Sequence, residues 1–274
     1  MTFNSCVLRK TATVLSLLFL VALSTETLAQ ARPKRTDLGD EPVASVLWVG
    51  NSFFYYNNSM HGHVVQLIKA AGSGYPARAT SVTISGSGLD WHDVESYLRP
   101  NGIGKYSFVG DNEIVFNKQG RQFDTVIMMD CSQCPIHPQL KSVFHEYARK
   151  DSDIVVRSGA RPVLFMSWAY KDRPEMTAAL AEQYTIAGNS NEALVLPAGL
   201  AFAKAISKRP DLELYQPDKR HPSLAGTYLA ACTSYAALYK KSPVGNTYTA
   251  GIDPSIASFL QSTAQETVQE YFAR

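Results

Sequence analysis

Residues 45–53 read Ser45-Val46-Leu47-Trp48-Val49-Gly50-Asn51-Ser52-Phe53. A short apolar, β-branched run ends in a glycine and two polar residues, the pattern of a strand buried on both faces of a parallel sheet. A helix is expected next, over Met60–Ala71, because Val64, Leu67, Ile68 and Ala71 fall on one face. The same kind of buried run recurs at Asp124–Met129 and Pro162–Trp168, with an alternating strand at Thr80–Ile84 and a short one at Leu194–Leu196. Between and after these strands, helices are expected over Leu89–Leu98, Pro138–Ser158, Glu175–Gly188, Ala198–Ser207, Pro222–Tyr239 and Pro254–Phe272. Residues 99–123 are Gly-rich and polar, and fit an excursion with a hairpin. Strands alternating with helices predict an α/β fold, a parallel sheet covered on both faces. Sites in such sheets lie at the carboxyl ends of the strands.

The 274 residues are 45% apolar and 18% charged, which suits a globular chain and not a disordered one. A net charge of +2 gives no electrostatic footprint for nucleic acid. The N-terminus carries Arg9 and Lys10, an apolar core from Val14 to Leu23, and small residues at Thr27, Ala29 and Ala31. That is the layout of a secretory signal peptide, and the core is too short to span a bilayer comfortably. The expectation is a signal peptide over residues 1–29, a single domain over 30–274, a secreted or periplasmic location and no stable membrane anchor. The charge and length leave the oligomeric state open.

Three segments at predicted strand ends carry chemistry. Ser52 follows the first strand at a turn, where it can be presented at the sheet edge beside its own backbone N–H. Asp218-Lys219-Arg220-His221, followed by Pro222, has a carboxylate three residues ahead of an imidazole. A serine hydroxyl needs a base within reach, and a histidine base needs a carboxylate to fix its tautomer. Asp130-Cys131-Ser132-Gln133-Cys134-Pro135 follows the third strand, where Ser132 and Gln133 can donate to an oxyanion. Ser85-Gly86-Ser87-Gly88 follows the second strand, where glycine lets a backbone N–H point into a site.

In this order, these blocks resemble the SGNH (GDSL-type) hydrolase superfamily across residues 45–240. The resemblance implies a flavodoxin-like, three-layer α/β/α sandwich with a parallel sheet of about five strands. It implies Ser52 as nucleophile, His221 as base and Asp218 as its orienter. Oxyanion donors would be the N–H groups of Ser52 and Gly88 (less so Gly86), with Gln133 or Ser132. The chain departs from the family pattern in two places: Asn51 replaces the GDS aspartate, and CSQCP replaces the third-block asparagine. GNSF, the SQ-x-P segment, Ser167-Trp168, Leu196-Pro197-Ala198-Gly199 and His221-Pro222-Ser223 with Gly226 resemble a poorly characterised bacterial branch of the superfamily. The implied activity is ester hydrolysis on a small-molecule or glycan O-acyl substrate through an acyl-enzyme, with no cofactor. An inactive glycan-binding relative and an acyltransferase are the other readings.

The aromatic run Phe53–Tyr56, together with Trp91 and His92 beyond the glycine loop, supplies candidate substrate-binding residues, chiefly Phe53, Tyr55, Trp91 and His92. Cys131 and Cys134 fit a local structural disulfide before a redox or zinc site, since no further ligands follow at zinc spacing. His61 and His63 lack a carboxylate close in sequence, so no metal is expected. Cys232 sits in an apolar helical run, as a buried thiol does.

Overall fold

Gly50 ends a strand that is buried along its whole length, and the serine beyond it begins a helix. The computed structural model describes Met1 and residues 31–72, 78–117 and 120–273. The expected signal peptide lies outside the described residues, whereas Ala31–Arg274 forms one compact unit. In chain order this unit contains β1 (Ser45–Gly50), α1 (Ser52–Tyr55), α2 (Met60–Ala70), β2 (Arg78–Thr83), α3 (Val94–Leu98), β3 (Tyr106–Gly110) and β4 (Glu113–Phe116). It continues with β5 (Thr125–Met128), α4 (Lys141–Arg157), β6 (Arg161–Phe165), α5 (Met176–Ser190) and β7 (Leu194–Leu196). The last helices are α6 (Ala198–Lys208), α7 (Leu224–Tyr239) and α8 (Pro254–Phe272).

Five strands form a parallel sheet in the order β2-β1-β5-β6-β7. The order reverses at β1: the chain steps one way to β2, then the other way through β5, β6 and β7. Ligand crevices in open α/β sheets form beside such a reversal. Because parallel crossovers are right-handed, α2 must cover one face and α4 and α5 the other. The contacts agree. On the first face α7 packs against α2, α6 and α8, and on the second α4 touches α3, α5 and β6. The predicted three-layer sandwich is therefore the observed one, and the expected hairpin is the antiparallel pair β3–β4. Among the described residues, no helix is long and apolar enough to cross a membrane.

Two predicted boundaries move for local reasons. The apolar run of the fourth strand leaves the sheet after Phe165, because Trp168 turns away to stack on Phe202, with centroids 4.3 Å apart. The single helix expected at Leu89–Leu98 is a 3-10 turn, Leu89–Trp91, followed by α3. Asp93 separates them and caps α3 by accepting from the Ser96 N–H at 3.1 Å.

One feature of the second helical layer costs stability. Asp151 on α4 is 1% exposed, and its Oδ2 has no partner among the described residues. Burial pushes its carboxyl up to about 7; Lys150 opposes this, while Asp130 and Asp93 add to it. The folded protein then keeps a proton that the unfolded chain sheds near 3.8, so stability falls as pH rises through that window. Asp151→Asn is expected to flatten this decline and to raise stability at pH 8 by a few kcal/mol. Guanidinium unfolding at pH 5 and pH 8 measures both effects.

Candidate active site

Close packing sets the first turn. A Cβ on Gly50 would lie 2.9 Å from the Phe54 ring, so only glycine lets that ring fold back under β1. Asn51 caps α1 by accepting from the Phe53 N–H at 3.2 Å. Its amide nitrogen donates to the Ser87 carbonyl at 2.9 Å and to the Asp130 carbonyl at 3.2 Å. One buried side chain thus ties together the loops after β1, β2 and β5. An aspartate here would turn two donors into a carboxylate oxygen facing two carbonyls. Asn51→Asp is accordingly expected to cost about 3 kcal/mol or more in thermal or denaturant unfolding.

The late histidine is held by a different set of bonds. Tyr215 and Pro222 form an isolated bridge, and the Gln216 N–H donates to the His221 carbonyl at 2.8 Å. Lys219 takes the left-handed conformation (φ +64) that turns the chain between them. Asp218 Oδ1 accepts from the backbone N–H groups of Arg220 at 2.9 Å and His221 at 3.0 Å. Its Oδ2 accepts from Nδ1 of the His221 ring. Because the ionised carboxylate can only accept, the ring hydrogen lies on Nδ1 and Nε2 is free to accept. Ser52 Oγ stands 2.8 Å from that Nε2. Two residues 169 positions apart therefore meet at the carboxyl edge of the sheet. Desolvation alone would raise the Asp218 carboxyl, but the hydrogen bonds from His221 and Arg220 outweigh it and hold it at about 2.

Aromatic rings fix the imidazole plane. Tyr56 stacks on His221 at 4.2 Å and 10°, and Phe53 meets it edge-on at 5.6 Å. Phe53 in turn stacks on Trp168 at 4.6 Å, and the Trp168 indole N–H donates to the Arg220 carbonyl at 3.0 Å. The sequence marks Tyr56 as part of an aromatic run and Trp168 as part of the family resemblance, but not that Tyr56 stacks on the imidazole or that Trp168 braces Phe53 and the Arg220 carbonyl. The signal for Tyr56 is its spacing, one helical turn after Ser52.

The cleft beside Ser52 and His221 has a volume of about 350 Å³. The loop after β5 lines it with Cys131, Ser132 and Gln133. Cys131 and Cys134 are disulfide-bonded, as the spacing predicts. Gln133 is exposed at the lip, while the Ser132 hydroxyl is engaged with Tyr170 OH at 2.6 Å. Beneath them Asp130 accepts from the N–H groups of Cys131 (2.7 Å) and Leu89 (3.1 Å). Burial lifts its carboxyl to about 6.

Several expectations need correction. Gly86, not Gly88, lines the cleft with Ser85. The chain reverses at Gly86 (φ +73), so Gly88 is already buried against carboxylates. A Cβ there would meet Asp130 Oδ1 at 2.7 Å and Asp90 Oδ1 at 2.6 Å. Trp91 is 60% exposed and His92 is buried; neither lines the cleft. His92 Nε2 sits 3.1 Å from the Gly50 carbonyl and 2.9 Å from Ser87 Oγ, under the turn that carries Ser52. Tyr55 also stands off the cleft, with its hydroxyl 3.1 Å from Ser85 Oγ; Phe53 alone of the four predicted binding residues reaches it. His63 is spent on Tyr248 OH and the Asn57 carbonyl, both at 2.7 Å, and Cys232 is a buried free thiol.

No protein-family model and no curated protein matches the sequence. Solved structures do. A DUF4886 family protein from Bacteroides uniformis aligns with a TM-score of 0.57 at 18% identity, covering 83% of this chain and 95% of that one. A candidate SGNH hydrolase from Slackia heliotrinireducens aligns at 0.53 and 21% identity, covering 72% of this chain and 99% of that one. An acetylxylan esterase from Geobacillus stearothermophilus aligns at 0.53 and 14% identity, covering 73% and 96%. At such identities the likeness is one of architecture, and with the five-stranded parallel sheet and its reversal at β1 the chain has the fold of the SGNH hydrolases.

Proposed function

We propose that this protein is an exported ester hydrolase that works through an acyl-enzyme. The observation that carries the reading is the unbroken chain of hydrogen bonds from Ser52 Oγ through the His221 ring to Asp218, at the carboxyl edge of the sheet. In the first half-reaction Ser52 Oγ attacks the ester carbonyl while His221 Nε2 takes its proton. The donors to the tetrahedral oxyanion are the N–H groups of Ser52 and Gly86 and the Gln133 amide, from three residues that line the cleft. His221 then returns the proton to the leaving alcohol. In the second half, water attacks the acyl-Ser52 carbonyl and gives a proton to Nε2; the bond to Ser52 Oγ then breaks, His221 returns the proton to that oxygen, and the acid leaves.

Three further points support this reading. The acetylxylan esterase of like fold has catalytic mutants at an aspartate and a histidine three positions apart, the spacing of Asp218 and His221. The leader-like N-terminus and the Cys131–Cys134 disulfide both suit an oxidising, extracytoplasmic setting. The cleft is open and small, and its wall mixes the polar groups of Ser85, Ser132 and Gln133 with the Phe53 and Tyr170 rings, which suits short acyl groups on glycans or other hydrophilic alcohols better than long fatty chains. A fluorophosphonate probe tests the proposal. Stoichiometric labelling that maps to Ser52, together with turnover of p-nitrophenyl acetate, is expected; absence of both would overturn it.

A further inference from the structure

We infer that Arg220 is a specificity-determining residue and that the ester substrate carries a carboxylate near the scissile bond. This rests on the hydrolase reading above. Arg220 lines the same cleft as Ser52 and His221 and precedes the proposed base by one position. Its backbone is fixed from both sides: the N–H donates to Asp218 Oδ1 at 2.9 Å, and the carbonyl accepts from the Trp168 indole at 3.0 Å. Its guanidinium lies 4.9 Å from the centroid of the Tyr170 ring. That ring is 8% exposed and is pinned by its hydroxyl to Ser132 Oγ. The side chain is therefore parked on a rigid platform at the lip of the cleft.

Its neighbours differ in one respect. Lys171 pairs with Glu213, Arg173 with Glu175 at 2.8 Å, and Lys219 with Asp172 at 3.6 Å. Among the described residues no carboxylate lies within ion-pair distance of the Arg220 guanidinium. The ionised carboxylate of Asp218, two residues away, is turned to the His221 ring and to the backbone, so Arg220 stands at the mouth of the cleft as a cation without an ion-pair partner of its own. A guanidinium presents parallel N–H donors that match a carboxylate bidentately. A single unit of charge suits a monoanion better than a phosphate dianion. The chemistry fits an O-acylated acidic sugar, or another hydroxy acid, whose carboxylate sits beside the acylated hydroxyl.

The test compares two acetyl esters of nearly equal size, one anionic and one neutral, 3-acetoxybenzoate and 3-acetoxybenzamide, in wild type, Arg220→Gln and Arg220→Lys. The readout is the ratio of kcat/KM for the anionic over the neutral ester, which cancels any loss common to both. Wild type is expected to favour the anion by about 10-fold or more, through KM. Arg220→Gln should bring the ratio to about one, and Arg220→Lys should keep part of it, since charge survives but the fork does not. The wild-type ratio should also shrink in 0.5 M NaCl, as an exposed ion pair is screened. Fluorophosphonate titration counts intact sites in each variant. A wild-type ratio near one, or a ratio indifferent to both substitutions, overturns the inference while leaving the hydrolase reading in place. No turnover of either ester, with no fluorophosphonate labelling, overturns both.

Discussion

Ser52→Ala is expected to lower kcat on p-nitrophenyl acetate by on the order of 10⁶-fold, leaving only what binding and the oxyanion donors contribute. The size follows from the arrangement. His221 and Asp218 act only through the Ser52 hydroxyl, so removing that oxygen silences all three at once, and the separate contributions do not add. The fold has little reason to suffer. The cap of α1 is the Asn51 side chain, not Ser52, and among the described residues the hydroxyl removed makes its hydrogen bond to His221 alone. Thermal unfolding of the variant should stay within a few degrees of wild type. A residual rate within tenfold of wild type, in a folded variant, would mean that another nucleophile does the work.

The parts of this site that the sequence revealed are those written in local patterns. Buried β-branched runs and 3.6-residue periodicity survive in any single sequence, so β1, β5 and α2 were legible, and with them the sheet edge that carries Ser52. Asp218 and His221 were legible because their partnership is local: three residues across a turn suffice. What was hidden depends on backbone conformation or on distant stacking. Nothing in Ser85-Gly86-Ser87-Gly88 says which glycine takes a positive φ, and the turn at Gly86 leaves that glycine, not Gly88, on the cleft. His92 and Trp91 are adjacent, yet one is buried under the Gly50 turn and the other stands in solvent. The stack Phe202–Trp168–Phe53 joins three separate elements, and only the fold brings them together. Asn51, with its amide donors, and Asp130, with its two accepted N–H groups, hold the disulfide loop from below, and that support joins residues 41 and 79 positions apart, which no local pattern displays.

Asp218→Asn is expected to reduce kcat by about 10⁴-fold with little change in stability. The reason lies in how the carboxylate divides its oxygens. Oδ1 accepts from two backbone N–H groups, and Oδ2 accepts from the His221 ring. An asparagine amide has only one accepting oxygen. Two backbone donors compete with one ring donor for it, so Oδ1 stays with the backbone and the NH₂ group turns toward Nδ1. The ring must then accept at Nδ1 and carry its hydrogen on Nε2, where it donates to Ser52 instead of accepting from it. The base is present, correctly placed and in the wrong tautomer. The loss is not an imitation of mildly acid pH, since the wild-type carboxylate is held at about 2 and stays ionised far below neutrality. Its side chain is 44% exposed, so the exchange strands no deeply buried charge. Nitrogen-15 spectra of the His221 ring should show the protonated nitrogen switching from Nδ1 to Nε2 at neutral pH, in step with the fall in rate. A variant that keeps the wild-type tautomer and still loses 10⁴-fold would place the role of Asp218 in charge stabilisation instead, and one that keeps its rate would remove Asp218 from the relay.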